Sequence, residues 1–438
     1  MAPWACSGQR RLGVCESGKT GRKKKSMGRG DDVTFLGKLG DREHFPDLEP
    51  LVYANHAAIS PPSWPVRRAM QNAIVDWGRR GAVAFGSYIG QRQRLREKLA
   101  ALVGASAEEI AFMPNTSNGV TAIAMSLPWR RGDRVILFSG EFPANVTPWQ
   151  RAAALFGLEV VFLSTNDFAT SDDEGLAKLA EALKSGARLC AVSAVQFQTG
   201  LRMPLSAMAE LCHAHGAELF VDGIQATGVV PTDVRALGVD YWASGGHKWL
   251  MGPEGTGFLY VRKERLAALE HHLAGWLSHE DSVRFLIEGP GHLRYDRPFK
   301  ERAEFFEPGC INAIGLVGLE AAVDLLKTVG VQTIYEHVVR WADGVEPGLV
   351  ERGFRSLRAP EAHRRSGILS VLPPEDVSVV ALHRALLAAG LGCAIPDGVL
   401  RFSPHFPNNL DEAEQVLLSI DAALAELRGA PRPRSDDW

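Results

Sequence analysis

The chain has 438 residues, 46% of them hydrophobic, which is enough for a large core and more than one domain. Its 48 basic and 51 acidic residues leave a net charge of -3, which argues against nucleic acid or an anionic membrane as a partner and favours a small molecule. Six scattered cysteines fit neither a zinc site nor a disulfide framework, and no apolar run approaches the ~18 residues of a spanning helix, so we expect a cytoplasmic protein without membrane or metal.

The first thirty residues differ from the rest of the chain. They are rich in Gly, Ser, Arg and Lys, contain the basic run 22–25, and show no helical or strand periodicity. We predict that residues 1–30 form a disordered basic extension. A nuclear or transit signal is one interpretation; we favour a solvated tail, or an extension upstream of a chain that begins at Met27.

The middle of the chain alternates short apolar runs with amphipathic segments. The runs that predict buried strands are 110–113, 135–138, 160–163, 189–195, 219–221 and 258–261. Helical patterns occupy 119–127, 174–183 and 205–215. Strands separated by helices predict crossover units and a mostly parallel sheet covered on both faces, which is an α/β domain.

A Pro-Gly turn at 308–309 precedes a long helical pattern over 315–326, after which helices and strands alternate on a smaller scale. We place a domain boundary there. Residues 31–314 are predicted to form an N-terminal segment and a large domain, and residues 315–438 a smaller α+β domain.

Two residues near the ends of predicted strands carry reactive side chains. Asp222 closes the strand 218–221 and precedes Gly223, so its carboxylate should emerge at the edge of the sheet where α/β proteins bind ligands. An acid there can pair with a protonated pyridine nitrogen, although an Asp that begins a turn is the simpler interpretation of this residue alone. Lys248 follows two glycines, and taken alone it is most simply a solvated lysine.

A segment that could bind a phosphate group is predicted upstream of Asp222, at residues 116–118. Thr116, Ser117 and Asn118 follow the strand 110–113 and stand at the start of the helix 119–127. The unpaired amide groups and the dipole of a helix N-terminus favour a dianion. An ordinary helix cap is the commoner role of such residues, and both can hold for the same side chains.

Three stretches together resemble the signature of class V aminotransferases. They are Val-Asp-Gly-Ile-Gln-Ala-Thr-Gly at 221–228, Gly-Gly-His-Lys-Trp-Leu at 245–250 and Gly-Pro-Glu-Gly-Thr-Gly at 252–257. The similarity extends from about Tyr53 to Asn409. The family includes cysteine desulfurases, kynureninases and isopenicillin N epimerase-like enzymes. The resemblance implies the fold type I architecture, pyridoxal 5'-phosphate as cofactor and a homodimer.

The resemblance also implies roles for single residues. Lys248 matches the lysine that carries the cofactor as a Schiff base, Asp222 the partner of the pyridine nitrogen, and Gln225 the donor to the ring hydroxyl oxygen. His247 and Ser244 fall beside the phosphate in the pattern. Desulfurases usually place that serine one position nearer the lysine, where this chain has glycine.

Two further segments match the part of the family pattern that holds the substrate. Phe142, in Glu-Phe-Pro-Ala-Asn at 141–145, matches the residue that stacks on the cofactor ring; desulfurases have histidine there and kynureninases phenylalanine. A phenyl ring stacks but transfers no protons, which weakens the desulfurase interpretation. Arg401, in 400–406, matches the arginine that grips the α-carboxylate of an amino-acid substrate with two parallel hydrogen bonds.

The cysteines depart from the desulfurase pattern. Cys393 stands eight residues before Arg401 with no long loop between them, whereas the family's nucleophile lies on a loop farther upstream, so we interpret Cys393 as a buried small residue. Cys310 replaces the threonine that reaches the neighbouring subunit's phosphate in the family, which puts that contact in doubt.

The sequence therefore predicts a class V aminotransferase-like enzyme that acts on an amino acid through Lys248. The alternatives are a desulfurase-like or kynureninase-like lyase, an epimerase, and a cofactor-binding scaffold without activity. A dinucleotide loop at 252–257 is disfavoured because it precedes a strand instead of opening a helix. The aminotransferase, lyase and epimerase interpretations share one step, in which Lys248, released from the cofactor by the substrate, removes the Cα proton. The reaction that follows this step is left open.

Overall fold

The computed structural model describes residues 36–429. The predicted basic extension, residues 1–30, and with it the alternative start at Met27, lies outside the described residues.

The strands are β1 Val52–Tyr53, β2 Ile110–Phe112, β3 Arg134–Ser139, β4 Glu159–Ser164, β5 Leu189–Ser193, β6 Glu218–Asp222, β7 Tyr241–Gly245, β8 Gly257–Val261, β9 Arg355–Ser356, β10 Leu369–Leu372, β11 Leu391–Gly392 and β12 Leu400–Phe402. The α-helices are α1 Trp64–Arg80, α2 Phe85–Val103, α3 Thr116–Ser126, α4 Thr147–Phe156, α5 Asp172–Lys184, α6 Leu205–Ala214, α7 Lys263–Leu266, α8 Arg284–Ile287, α9 Ala313–Val329, α10 Val331–Glu351, α11 Val379–Ala388 and α12 Glu412–Gly429.

The larger sheet has seven strands in the order β2-β8-β7-β6-β5-β3-β4. Strands β3 to β7 run parallel, and β8 lies antiparallel between β7 and β2. Each of the six apolar runs singled out in the sequence forms all or most of a strand of this sheet. The prediction that 160–163 is buried is wrong, because β4 is the edge strand and none of its residues is fully buried. The predicted α/β class with a mostly parallel sheet is confirmed.

Alternation along the central strands divides the interior into two clusters, one on each face of the sheet. On β6, Leu219 and Val221 belong to one cluster, whereas Phe220 belongs to the other. Strand side chains alternate between faces, and a sheet covered on both faces buries both sets. The near-continuous apolar runs in the sequence follow from this double burial.

The parallel strands bring their carboxyl ends to one edge of the sheet. Strands β3, β5, β6 and β7 end there at Ser139, Ser193, Asp222 and Gly245. Gly223 follows Asp222, and a Cβ atom at this position would lie 1.9 Å from the Trp242 ring, so only glycine allows the chain to turn here. The loops that leave this edge carry the candidate site.

A second group of strands lies in the C-terminal part. The antiparallel sheet β12-β10-β9 packs with α10, α11 and α12 around a third core cluster, and β1 from the N-terminal segment pairs in parallel with β11. The helix predicted over 315–326 is α9, and Leu316, Leu319 and Val323 pack into the core of the larger sheet. The predicted boundary between residues 31–314 and 315–438 stays a prediction.

Candidate active site

Lys248 lies just beyond the carboxyl end of β7, in the turn opened by Gly245 and Gly246. Its Nζ atom is 5.6 Å from the centre of the Phe142 ring. Loss of water around the ammonium group lowers the pKa of Lys248 to about 8; Asp222 opposes this shift and Arg401 adds to it. A lysine with this pKa is partly uncharged near neutral pH and can act as nucleophile or base.

Asp222 ends β6 and is 2% exposed. Its Oδ1 atom accepts a hydrogen bond of 3.0 Å from the amide of Ile224. Burial raises the pKa of Asp222 to about 6, while the Ile224 amide and the charge of Lys248 oppose this rise. A buried carboxylate that accepts few hydrogen bonds is stabilised by a cationic partner, and a protonated pyridine ring would be such a partner.

Gln225 is buried one turn after Asp222. Its Nε2 donates to the carbonyl of Ala57 at 3.0 Å, and its Oε1 accepts from Nε1 of Trp249 at 2.8 Å. An amide NH₂ has two hydrogens, so one remains for another acceptor. The orientation of Gln225 is therefore fixed by protein contacts, and its predicted role as donor to the ring hydroxyl stays compatible with them.

Phe142 and Arg401 meet across the loop after β5. The Phe142 side chain is 47% exposed and packs edge to face against Phe197, with ring centres 5.4 Å apart. Arg401 is 4% exposed, and its Nη1 donates to the carbonyl of Phe197 at 2.7 Å. Its Nε lacks a partner among the described residues, and burial lowers its pKa to about 10. A buried guanidinium with an unused donor fits an anionic ligand.

The predicted phosphate segment forms the first turn of α3. The cap is Asn115, whose side chain accepts from the amide of Asn118 at 2.9 Å, so Thr116, Ser117 and Asn118 are the first three helical residues. Thr116 is 4% exposed, and its hydroxyl has no partner within residues 36–429. An orphaned buried hydroxyl beside a helix N-terminus fits a phosphate group.

Ser244 and His247, the other two residues predicted beside the phosphate, differ in what they contact. Ser244 is fully buried, and its hydroxyl donates to the carbonyl of Gly245 at 3.3 Å. His247 has a lowered pKa, first because of burial and then because of the charge of Lys248. Their phosphate contacts stay predictions.

Two residues near the site, Glu141 and Ser60, were not predicted from the sequence. Glu141 accepts hydrogen bonds from the amide and the hydroxyl of Ser193, directly beside Phe142. Ser60 donates its amide to the carbonyl of His247 at 2.8 Å and its hydroxyl to that of Lys248 at 2.6 Å. Glu141 could have been noticed as the neighbour of Phe142, whereas nothing in the local sequence connects Ser60 with a lysine 188 residues away.

The cysteines of the described chain divide by exposure. Cys393 is 2% exposed, and burial raises its pKa to about 12, which confirms that it is a buried small residue. Cys190 and Cys212 are also buried. Cys310 is exposed and lines a cavity of about 490 Å³ together with Asn118.

Within residues 36–429, no helix has the length and apolar character needed to cross a bilayer. The same residues contain no group of three or more histidine, cysteine or acidic side chains suited to a metal ion.

A lysine of lowered pKa, a buried carboxylate and a helix N-terminus lie at one edge of a mostly parallel α/β sheet, and this arrangement fits a phosphorylated, cationic ring. Residues 56–415 match the family described as Aminotransferase class-V, and the chain belongs to it.

Relatives of similar length include proteins named as cysteine desulfurases and one named as an aminotransferase. The chain is 29% identical over 409 residues to a probable cysteine desulfurase of Pyrococcus abyssi, which covers 89% of this chain and 98% of that protein. It is 28% identical over 388 residues to an uncharacterized aminotransferase of Bacillus subtilis, covering 87% of this chain and 96% of that protein. The solved apo structure of a cysteine desulfurase from Thermococcus onnurineus NA1 superimposes with a TM-score of 0.75 at 25% identity, over 86% of this chain and 95% of that one.

Family membership confirms the predicted class V resemblance, the fold type I architecture and pyridoxal phosphate as the cofactor. The chain is an enzyme of this family. The roles of Asp222, Thr116 and Gln225 towards the nitrogen, phosphate and hydroxyl of that cofactor stay predictions, and the unused donors and the buried carboxylate are compatible with them.

Proposed function

We propose that this enzyme is a lyase that cleaves the carbon–sulfur bond of a cysteine-type amino acid, with Lys248 as cofactor lysine and base. Pyridoxal phosphate supplies the electron sink that makes the Cα proton removable. The observation that carries the proposal is Lys248, whose pKa is about 8, in the electrostatic field of Asp222 and Arg401 and 5.6 Å from the centre of the Phe142 ring. The desulfurase names of the relatives point to a sulfur-containing substrate.

Each residue has a separate task in this proposal. Arg401 binds the substrate's α-carboxylate through its unused donor. Phe142 provides an apolar face against the ring, and Asp222 keeps the pyridine nitrogen protonated. Lys248 takes the Cα proton and returns a proton to the leaving sulfur.

The route of sulfur follows from the cysteines. A persulfide-forming enzyme needs an accessible thiolate near the substrate, and Cys393, the cysteine nearest Arg401 in sequence, is buried with a raised pKa. We therefore propose that sulfur leaves directly as sulfide and does not pass to Cys393. From cysteine and water the products are pyruvate, ammonia and hydrogen sulfide, so no oxidant or reductant is consumed.

Transamination is the second candidate, because a single lysine beside Phe142 is also sufficient to move a proton from Cα to the cofactor. The aminotransferase name of the Bacillus subtilis relative accords with it. The kynureninase-like, epimerase and scaffold alternatives stay predictions that the same experiment addresses.

The experiment is incubation of the holoenzyme with cysteine, cystine, kynurenine and other amino acids, with and without a keto-acid acceptor. We expect sulfide and pyruvate from cysteine without an acceptor, and neither product from Lys248→Ala. Keto acid that forms only with an acceptor would establish transamination, inverted amino acid an epimerase, and alanine from kynurenine a kynureninase. Lys263→Ala, on the exposed short helix α7, is the matched control.

We also propose a homodimer. Large apolar side chains are exposed on α1 and α2, on the short connection between them, and on the segment around α8: Ile74, Val75, Trp77, Val83, Phe85, Ile89, Leu286, Ile287, Leu293 and Tyr295. Exposed apolar area of this extent is typical of a protein interface. Light scattering should give twice the chain mass of 47.6 kDa, and Trp77→Glu should shift it towards the single-chain value.

A further inference from the structure

A second acidic side chain lies behind Asp222. Glu141 follows β3, and its Oε1 atom accepts a hydrogen bond of 2.6 Å from the amide of Ser193, while its Oε2 accepts one from the Ser193 hydroxyl. Both oxygens are thus engaged by one residue at the end of β5. The orientation of the Glu141 carboxylate is fixed by the sheet.

Ser193 connects this carboxylate with the predicted partner of the pyridine nitrogen. Ser193 and Asp222 are paired in register on neighbouring parallel strands, and the amide of Ala194 donates to the carbonyl of Asp222 at 2.8 Å. Glu141 follows β3 and Asp222 ends β6, so the two carboxylates lie at the same edge of the sheet with the end of β5 between them. The charge of Asp222 acts on Glu141.

The groups around Glu141 determine when it is charged. Burial raises the pKa of Glu141 to about 7; the bonds from Ser193 oppose this rise, the charge of Asp222 adds to it, and the Asn145 side chain opposes it. The buried thiol of Cys190, on β5, also lies in the field of Glu141. The shift has a geometric basis, because two carboxylates share one water-poor sheet edge.

We infer that Glu141 is a positioning residue that controls the charge around Asp222 and, through it, the protonation of the cofactor's pyridine nitrogen. The inference rests on the proposed role of Asp222 at the cofactor. When Glu141 is ionised, two negative charges face the pyridinium and hold its proton to higher pH. When Glu141 is protonated, only the charge of Asp222 stabilises the proton on the pyridine nitrogen. The electron-withdrawing strength of the ring then depends on an acid that does not contact it.

The test uses holoenzyme reconstituted with cofactor labelled with ¹⁵N at the pyridine nitrogen. The ¹⁵N chemical shift and the visible absorbance are followed over a pH titration in the wild type, Glu141→Gln and Ser193→Ala. We expect Glu141→Gln to lower the pH at which the pyridine nitrogen loses its proton by about one unit. Ser193→Ala should instead move the Glu141-linked inflection to higher pH, since it removes the hydroxyl hydrogen bond that favours the ionised acid and leaves only the bond from the residue 193 amide.

The controls separate the possible failures. Glu270→Gln changes an exposed glutamate and should leave the titration unaltered. A wild-type protein without a visible cofactor band would defeat the proposed function itself. A normal wild-type band with superimposable titrations in all variants would overturn the role of Glu141 alone. If Glu141→Gln fails to hold cofactor, the direction of the Ser193→Ala shift decides, and no shift in that variant also overturns the inference.

Discussion

The hydroxyl of Ser60 donates a hydrogen bond of 2.6 Å to the main-chain carbonyl of Lys248. A hydroxyl has one hydrogen, so the contact of 2.7 Å between Ser60 Oγ and Nδ1 of His56 must be donated by the histidine. Burial lowers the pKa of His56 well below its ordinary value, which is consistent with a neutral ring protonated at Nδ1. His56, Ser60 and Lys248 therefore form a directional chain that holds the backbone of the lysine.

Ser60→Ala should destabilise the protein by roughly 1–3 kcal/mol, since it leaves the buried Nδ1 of His56 without a partner. We also expect slower cofactor binding, because the backbone of Lys248 loses a support. Urea unfolding and the rate of holoenzyme formation measure the two effects. Ser419→Ala, at an exposed helix position, should alter neither. Equal stability of both variants would contradict the account.

Cofactor binding by the apoprotein should accelerate with pH. Only a neutral amine attacks the cofactor aldehyde, and the pKa of Lys248 is lowered to about 8, so the rate should rise through pH 8 and level off above about 9. Asp222 favours the charged amine and Arg401 disfavours it. Asp222→Asn should therefore move the midpoint down and Arg401→Met should move it up. Stopped-flow absorbance measures the profile, and a midpoint near 10 would contradict it.

Arg401→Lys should weaken substrate binding more than turnover. Lysine keeps the charge but loses the forked donors that suit a carboxylate, and it also loses the bond to the carbonyl of Phe197. We expect KM to rise by about tenfold or more, equal to ~1.4 kcal/mol, with a smaller change in kcat. Steady-state kinetics measure both, and Arg355→Lys, on the exposed side of β9, is the control. A fall in kcat alone would show that Arg401 does not grip the substrate.

The buried histidine His405 should make the fold sensitive to mild acid. Burial lowers its pKa from 6.5 to about 4, and its Nε2 donates to the carbonyl of Trp249 at 3.0 Å. The unfolded chain thus binds a proton more readily, so the contribution is complete above pH 6.5 and is lost as pH falls towards 4. The loss is on the order of 3 kcal/mol.

Urea unfolding between pH 7.5 and 4.5 measures this effect. His405→Gln should flatten the pH dependence of the unfolding free energy, because glutamine does not titrate. His215→Gln, at an exposed position, should leave the slope unchanged. The prediction fails if both variants retain the wild-type slope.

Much of the site could be predicted because its residues stand in short motifs at strand ends. Asp222 and Lys248 were located from the sequence since each comes after a buried apolar run and stands next to a glycine or close to one, and parallel strands place such positions at one edge. The contacts of Phe197 with Phe142 and Arg401 could not be predicted, because they join two loops and strand β12, which are far apart in the sequence. The cap of α3 proved to be Asn115, one residue before the segment singled out, since its side chain reaches the Asn118 amide.

The pairing of β1 with β11 joins two parts of the chain that are far apart in the sequence. The segment that follows β1 makes two long-range hydrogen bonds. The amide of Ala57 donates to the hydroxyl of Ser403, and the hydroxyl of Ser60 donates to the carbonyl of Lys248. The segment that carries Ser60 is therefore anchored by a residue 346 positions away from Ala57, and long-range contacts of this kind slow folding. Chains that end before Ser403 lack this anchor, and we expect them to hold the backbone of Lys248 less firmly.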